Sequence, residues 1–157
     1  MQKPSHIAAD GSLSMVDISA KTPTLRTARA VARLRISAAA AEALRTATLP
    51  KGDAFVAAQV AGIMAAKRTA TLIPLAHPIP IDGVEIAFSW ESDSTLTIEA
   101  GARTTAGTGV EMEAMVAVTV AALTLYDMAK GLDKGIVIEE IALVEKTGGK
   151  SGSWRRA

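Results

Sequence analysis

The stretch Val84–Ala100, VEIAFSWESDSTLTIEA, decides the fold class of this chain. On both sides of the polar interruption Glu91–Ser94, apolar side chains alternate with polar ones, which is the pattern of half-buried strands. Two such strands joined by a short polar connection are typical of a β-hairpin. The sequence therefore predicts a pair of antiparallel strands in the middle of the chain.

Upstream of this hairpin, the sequence predicts one strand and two helices. Arg29–Ser37 alternates in the strand manner, and Ser37 then caps a short alanine-rich helix. Asp53 follows a Pro-Lys-Gly break and is a suitable N-cap for a second helix that continues to about Thr71. The buried face expected for this second helix consists of Phe55, Val56, Val60, Ile63 and Met64.

Downstream of the hairpin, the sequence predicts a long helix and a last strand. Thr108 and Glu111 have the spacing of a capping box, and the helix that they open should end near Gly131. Ile136–Glu145 is the last predicted strand. Apart from the short alanine-rich helix, the order is strand, helix, strand, strand, helix, strand. It predicts an α+β fold, ferredoxin-like βαββαβ, with an antiparallel four-stranded sheet and both main helices packed on one face.

The length of 157 residues suits a single domain. Hydrophobic residues make up 49% of the chain and charged residues 21%, so the chain can bury a core. Residues 1–28 stand outside the predicted pattern as an N-terminal extension, and residues 147–157 as a flexible basic tail. Within the extension, Met15–Ser19 either adds an edge strand or reaches a neighbouring subunit.

Composition argues against several classes of function. The formal net charge is +1, so no whole-molecule attraction to nucleic acid or to an anionic membrane is expected. The absence of cysteine excludes disulfides and thiolate sites, and with only two histidines no metal site is predicted. Val110–Leu125 is too short to span a bilayer, and Met1–Ser14 lacks the apolar stretch of a signal peptide. A cytoplasmic location is therefore expected.

Asp127 and Lys130 form the most suggestive pair of charged residues. Residues three apart lie on one helical face, so the carboxylate and the ammonium can reach each other. Taken alone, the spacing favours an exposed ion pair of little energetic value. The preceding turns are almost wholly apolar, however, and they indicate that the pair is buried. A buried pair of this kind is a candidate acid–base couple.

Other polar residues have two interpretations each. Glu113 either contacts a guanine-like edge or is structural, while Glu111 is first a capping residue. His77 lies between prolines and either holds a phosphate or a base, or is a turn residue. Cations at the ends of elements either bind a multiply charged anion together or are ordinary solvated charges. These cations are Lys51, Lys67, Arg68, Lys146 and Lys150.

Seven short motifs carry a resemblance to a known family. They are MVDIS from Met15, KGD from Lys51, AGIMAAKRT from Ala61, LIPLAHP from Leu72, TGVEMEA from Thr108, ALTLYDMAK from Ala122 and KTGGKSG from Lys146. Their order and spacing resemble the cyclic pyranopterin monophosphate synthases, the C proteins of molybdenum-cofactor biosynthesis. The resemblance extends over nearly the whole chain.

The resemblance implies a lyase reaction. Members of this family convert (8S)-3′,8-cyclo-7,8-dihydroguanosine 5′-triphosphate, made by a radical-SAM partner enzyme, into cyclic pyranopterin monophosphate and diphosphate. They assemble as homohexamers, trimers of dimers, with active sites at subunit interfaces. No cofactor is required. Mg²⁺ can accompany the substrate triphosphate, although the sequence shows no dedicated site for it.

The resemblance also implies residue roles. Asp127 and Lys130 match the catalytic residues of the family. Two positions depart from its pattern, because Ala76 and Ala129 stand where the family usually has cysteine, so no thiol is required here. The positions and charges of the residues themselves add Lys67 and Glu111 to the contacts that the resemblance implies. The full set of expected substrate contacts is Lys51, Lys67, Leu75, Ala76, His77, Glu111, Met112, Glu113 and Lys146.

The competing class is a ferredoxin-like module without catalysis. An RNA-binding version needs aromatic residues on its open sheet face and a basic surface. Phe88 and Trp90 are instead expected to face the core, so this version is disfavoured. A regulatory module for a small ligand needs neither Asp127 nor Lys130, and binding without turnover would identify it.

Overall fold

The computed structural model describes residues 6–157. Residues 1–5, which begin the predicted N-terminal extension and the stretch inspected for a signal peptide, lie outside the described residues. The elements are β1 (Thr24–Arg35), α1 (Ala38–Arg45), α2 (Ala54–Ala66), α3 (Thr69–Leu72), β2 (Gly83–Trp90), β3 (Thr95–Ala106), α4 (Glu111–Ala129), β4 (Val137–Thr147) and β5 (Trp154–Arg155). Together they form a mixed fold, with one antiparallel sheet and the helices on one face.

The sheet has the strand order β2-β3-β1-β4-β5, and every neighbouring pair is antiparallel. The predicted hairpin is confirmed as β2 and β3. The predicted number of four strands is wrong, because Trp154 and Arg155 add a fifth strand beside Lys146 and Glu145. A two-residue strand after a glycine-rich segment has no periodicity that a sequence can show. β1 also begins at Thr24, inside the predicted extension.

The two faces of the sheet differ in chemistry. On β1, Ala30, Ala32 and Leu34 are fully buried and face the helices. The alternating Arg33 and Arg35 lie on the open face, where they pair with glutamates of β4 at 2.8 and 2.7 Å. Since these side chains are well exposed, each pair contributes little to stability. The helix side of the sheet is therefore the core.

Helix α2 buries only part of the face that its sequence predicts, since Phe55 and Ile63 pack against the core. Asp53 caps it as expected, accepting hydrogen bonds from two backbone amides. Val56, Val60 and Met64, however, are 55%, 53% and 45% exposed. The buried residues are the small ones, namely Ala54, Ala58, Gly62, Ala65 and Ala66. Because the helix is apolar all round, periodicity cannot select its face, whereas small side chains let its backbone approach α4 closely.

We expect Gly62→Ala to destabilise the fold. An added Cβ would lie 2.3 Å from Ile86 Cδ1 and 2.9 Å from the backbone oxygen of Ala117. The isoleucine end can rotate, but the carbonyl belongs to α4 and cannot. The expected loss is about 1–3 kcal/mol, measured as a lower melting temperature. Gly131→Ala is the control, because its Cβ would meet nothing within 4 Å. Equal melting temperatures for both variants would contradict this packing.

Helix α4 is the central helix, and its start differs from the prediction. Its N-cap is Val110, with no side-chain cap, so the predicted capping box is wrong. Glu111 instead turns to Lys146 on β4, with 2.6 Å between Oε1 and Nζ. A charged partner brought close by the sheet replaces a local cap that the sequence alone favoured.

By length and composition, α4 is apolar enough to cross a membrane, with a mean hydropathy of 1.4. The sequence of Val110–Leu125 predicted an apolar segment too short to span a bilayer. That prediction is wrong, because the helix is 19 residues long. In this fold half of the apolar stretch of α4 is buried, and the helix packs on β1, β3 and α2. The apolar composition is that of a core helix.

Candidate active site

A cavity of about 500 Å³ opens where α4 begins. One wall is the loop after α3, and another is the end of β4. Most of the expected substrate contacts lie together around it. Those that line the cavity are Leu75, Ala76, His77, Glu111, Met112, Glu113 and Lys146.

The N-terminal segment forms a further wall that the sequence did not predict. Val16 and Ile18 line the cavity, and His77 Nε2 lies 2.6 Å from the backbone oxygen of Val16. Met15–Ser19 is thus no edge strand in this chain, contrary to one of the two expectations. Lys21 and Arg26 also line the cavity. Their closeness to the MVDIS motif was the signal that could have identified them.

The charges around the cavity suit a multiply charged anion. Lys21, Arg26 and Lys146 supply cationic groups to its lining. The ion pair with Glu111 holds the ammonium group of Lys146 at the wall, and both side chains are only about a third exposed or less. Within residues 6–157, no three His, Cys, Asp or Glu side chains are grouped closely enough to hold a metal ion.

Glu113 is the buried acid of this cavity, with only 4% of its surface exposed. Burial raises the pKa of its carboxyl, and the nearby negative charge of Glu111 adds to this effect. A buried carboxyl group at a cavity wall can accept hydrogen bonds from a ligand without competition from water. The arrangement fits an acceptor for N–H groups.

Glu113→Gln should stabilise the protein at neutral pH. Since the pKa of Glu113 is raised in the folded state, its ionisation disfavours folding as the pH rises above its unfolded value of about 4.5. Below that pH the carboxyl is neutral in both states, so the variant gains nothing. Between pH 3 and pH 8, the melting temperature of the variant should rise progressively above that of the wild type. The difference should be about 2–4 °C for each kcal/mol of added stability. A constant difference across that range would contradict the burial argument.

Lys67 lies outside the main cavity, in a neighbouring one of about 290 Å³. His77 and Glu113 line both cavities, which are therefore adjacent. Arg68 also lines the second cavity. Lys67 is thus not among the residues that line the main cavity.

Asp127, Lys130 and Lys51 form a separate cluster at the other end of α4. Lys130 Nζ is 2.6 Å from Asp127 Oδ1, and Lys51 Nζ is 3.2 Å from Oδ2. Lys51 also donates to the backbone oxygen of Asp127 at 2.7 Å. The sequence did not predict this contact between Lys51 and the pair.

The predicted burial of the Asp127–Lys130 pair is wrong for the single chain. The two side chains are 57% and 49% exposed. The hydrogen bond from Lys130, followed by that from Lys51, lowers the pKa of Asp127, and the hydrogen bond to Asp127 raises the pKa of Lys130. Both groups are therefore charged at neutral pH. Of the apolar residues before the pair, Ala121, Ala122 and Leu125 are buried and Leu123 is 53% exposed, while the pair itself faces outward.

The cavity and the cluster do not meet within one chain. Glu113 and Asp127 are 14 positions apart on α4, which corresponds to about 21 Å along a helix. In one copy, none of Lys51, Asp127 and Lys130 lines the cavity.

Comparisons with known proteins agree with the motifs. The sequence profile of the MoaC family matches residues 15–149. A Streptomyces avermitilis protein is 52% identical over 97% of this chain and 89% of its own length. A Novosphingobium aromaticivorans protein is 50% identical over 100% of this chain and 99% of its own. Both are named cyclic pyranopterin monophosphate synthase. The chain belongs to the MoaC family.

Proposed function

We propose that this chain is a lyase of molybdenum-cofactor biosynthesis. It converts (8S)-3′,8-cyclo-7,8-dihydroguanosine 5′-triphosphate into cyclic pyranopterin monophosphate and releases diphosphate. Relatives with this name are about half identical to it over almost its full length. The observation that carries the proposal is the main cavity, which gathers His77, Glu113 and Lys146 around one space large enough for a nucleotide.

In this proposal, the cavity binds and orients the substrate. Lys146 and the neighbouring cations hold the triphosphate and offset the charge that builds on the departing diphosphate. Glu113 accepts hydrogen bonds from the guanine-derived edge. Leu75, Ala76, His77 and Met112 are further contacts, and Lys67 approaches from the neighbouring cavity.

Asp127 and Lys130 are the proposed catalytic residues. A lysine is protonated at neutral pH, and the hydrogen bond to Asp127 raises the pKa of Lys130 further, so the side chain serves first as a general acid. It becomes a base only after it has given that proton away. Lys51 completes this cluster. Ring opening, pyran closure and phosphate cyclisation need proton transfers and one phosphoryl transfer, so no cofactor is required, and Mg²⁺ can accompany the triphosphate.

The working enzyme is proposed to be a homohexamer, a trimer of dimers, with sites at subunit interfaces. The distance of about 21 Å along α4 supports this assembly, because a second copy can bring its Asp127 cluster to the cavity of the first. The exposure of Asp127 and Lys130 also supports it, since an interface would bury them. Light scattering that found only monomer at micromolar concentration would overturn this part of the proposal.

The fold is proposed to be ferredoxin-like, in a single domain. The order β2-β3-β1-β4 supports it, because the strands before and after α2 flank β3, as a split βαβ unit requires. β5 is then an addition at the edge.

The protein is proposed to act in the cytoplasm on a small molecule, with no nucleic acid or membrane as partner, and its near-neutral net charge supports this.

A coupled anaerobic assay tests the proposed reaction. The purified chain is added to GTP and the radical-SAM partner enzyme, and cyclic pyranopterin monophosphate is measured through its fluorescent oxidised derivative. Product is expected only when the chain is present. If the folded chain gives no product while the cyclised intermediate accumulates, the proposed reaction is wrong. Binding of that intermediate without turnover would then identify a ligand-binding module.

A further inference from the structure

Thr104 is a buried polar residue in an otherwise apolar row of β3. Its neighbours on the helix side of the strand are Ile98, Ala100, Ala102 and Ala106, all buried. Thr104 itself has no exposed surface. A buried hydroxyl is unfavourable unless it forms a hydrogen bond, so its partner indicates why it is there.

The partner of Thr104 is the loop that carries His77. The Thr104 hydroxyl donates a hydrogen bond to the backbone oxygen of Pro80. This contact lies just beyond the point where the β2–β3 ladder starts, which is Gly83 opposite Arg103. The Thr104 side chain thus bonds to the Pro80 carbonyl, which lies outside the β2–β3 ladder.

The loop has few other directional contacts. Apart from the Thr104 bond, residues 77–82 form two hydrogen bonds to other parts of the described chain. One joins His77 Nε2 and the backbone oxygen of Val16, and the Asp82 amide donates the other to the backbone oxygen of Arg103. Pro78 and Pro80 have no amide hydrogen to donate. Ile79 and Ile81 pack against the core, but apolar contacts do not fix orientation as a hydrogen bond does.

The prolines make the loop stiff between the hydrogen bond and the imidazole. Pro78 and Pro80 fix their own φ angles, and each also restricts the residue before it to extended conformations. His77 and Ile79 are therefore limited as well. The stiff segment gives a constraint at Pro80 a route of three residues to His77, which lines both cavities.

We propose that Thr104 is a positioning residue for the substrate site, because its hydrogen bond to Pro80 sets the orientation of His77 at the cavity wall. It touches no substrate itself. The expected effect of Thr104 on turnover rests on the proposed function. The orientation of His77 is a property of the free protein and can be measured without substrate.

Thr104→Val tests the inference, because valine keeps the shape and removes the hydroxyl. KM for the cyclised substrate is expected to rise about tenfold, with kcat changed far less, since binding geometry is lost rather than a catalytic group. Thr104→Ser, which restores the hydroxyl, should recover most of the wild-type KM. Thr119→Val is the matched control, because the Thr119 hydroxyl bonds only within α4, to the backbone oxygen of Met115. An unchanged KM in Thr104→Val would overturn the inference.

A double-mutant cycle separates positioning from general loosening. If Thr104 acts through His77, then Thr104→Val should add little to the KM of a His77→Ala protein. Independent, multiplying effects on KM would show that the hydroxyl acts elsewhere. Should Thr104→Val fail to fold, Thr104→Ala deletes the same hydroxyl without the bulkier side chain and takes its place in the cycle.

NMR of the free protein decides the matter even if the proposed reaction fails. The chain has two histidines, so the His77 ring signals are readily assigned against those of His6. We expect Thr104→Val to move the His77 ring signals, Thr104→Ser to restore them and Thr119→Val to leave them in place. His77 signals that are identical in all variants would exclude positioning by Thr104, whatever the enzyme turns over.

Discussion

Lys130→Ala should lower kcat by about 10²–10⁴-fold, which is the usual contribution of a general acid–base group. The lysine side chain is half-exposed and bonds only to Asp127 in the described structure, so its removal should leave the fold of the chain intact. Asp127→Ala should have a comparable effect, because it removes the partner of both lysines in the cluster.

The control for this prediction is Lys134→Ala, which removes an ammonium group four residues further on. No salt bridge involves Lys134 among the described residues. The coupled assay is run at saturating substrate, with light scattering and melting temperature recorded for every variant. Near wild-type turnover in a folded, assembled Lys130→Ala protein would remove Lys130 from the catalytic role.

Two impaired variants should restore part of each other's activity when they assemble together. His77→Ala damages the cavity, and Asp127→Ala damages the cluster at the other end of α4. If each site takes its cavity from one copy and its cluster from another, a mixed dimer holds one intact site and one doubly damaged site. Random mixing of equal amounts should then recover about a quarter of the wild-type activity.

The mixture is made by co-expression with two different purification tags, so that only mixed assemblies are assayed. Glu113→Ala co-expressed with His77→Ala is the control, because both changes damage the same cavity wall and no intact site can form. Recovery in the first mixture but not in the second identifies a shared site. If neither mixture recovers activity, each copy must provide its cavity and its cluster to the same site. That result would contradict the shared site inferred from their separation along α4.

Local signals predicted most of the fold. The hairpin from Val84 to Ala100 and the caps at Ser37 and Asp53 depend on neighbouring residues only, and all are confirmed. The face of α2 depends on what packs against it. Since that helix is apolar on all sides, the choice of the small face over the Val56 face is made by α4, which the sequence of α2 cannot reveal.

The candidate site shows the same limit. The short motifs named His77, Glu113 and Lys146 as substrate contacts, and these three residues line one cavity. Composition near Asp127 wrongly indicated burial, because an apolar turn shows that one helix face is buried and not which residues share that face. Glu111 has the spacing of a cap, yet it pairs with a lysine 35 residues away. Such long-range partners are fixed by the sheet.

The position of β1 between β3 and β4 affects how the protein can be made in the cell. Arg29 on β1 and its partner Glu145 on β4 are 116 residues apart. At roughly 5–20 residues per second, a ribosome needs on the order of 10 s to synthesise that interval. Once β3 has been synthesised, β1 can pair with it but has an open edge on its other side until β4 follows. That edge can pair with another nascent chain, so slow translation of the last third of the message should favour aggregation.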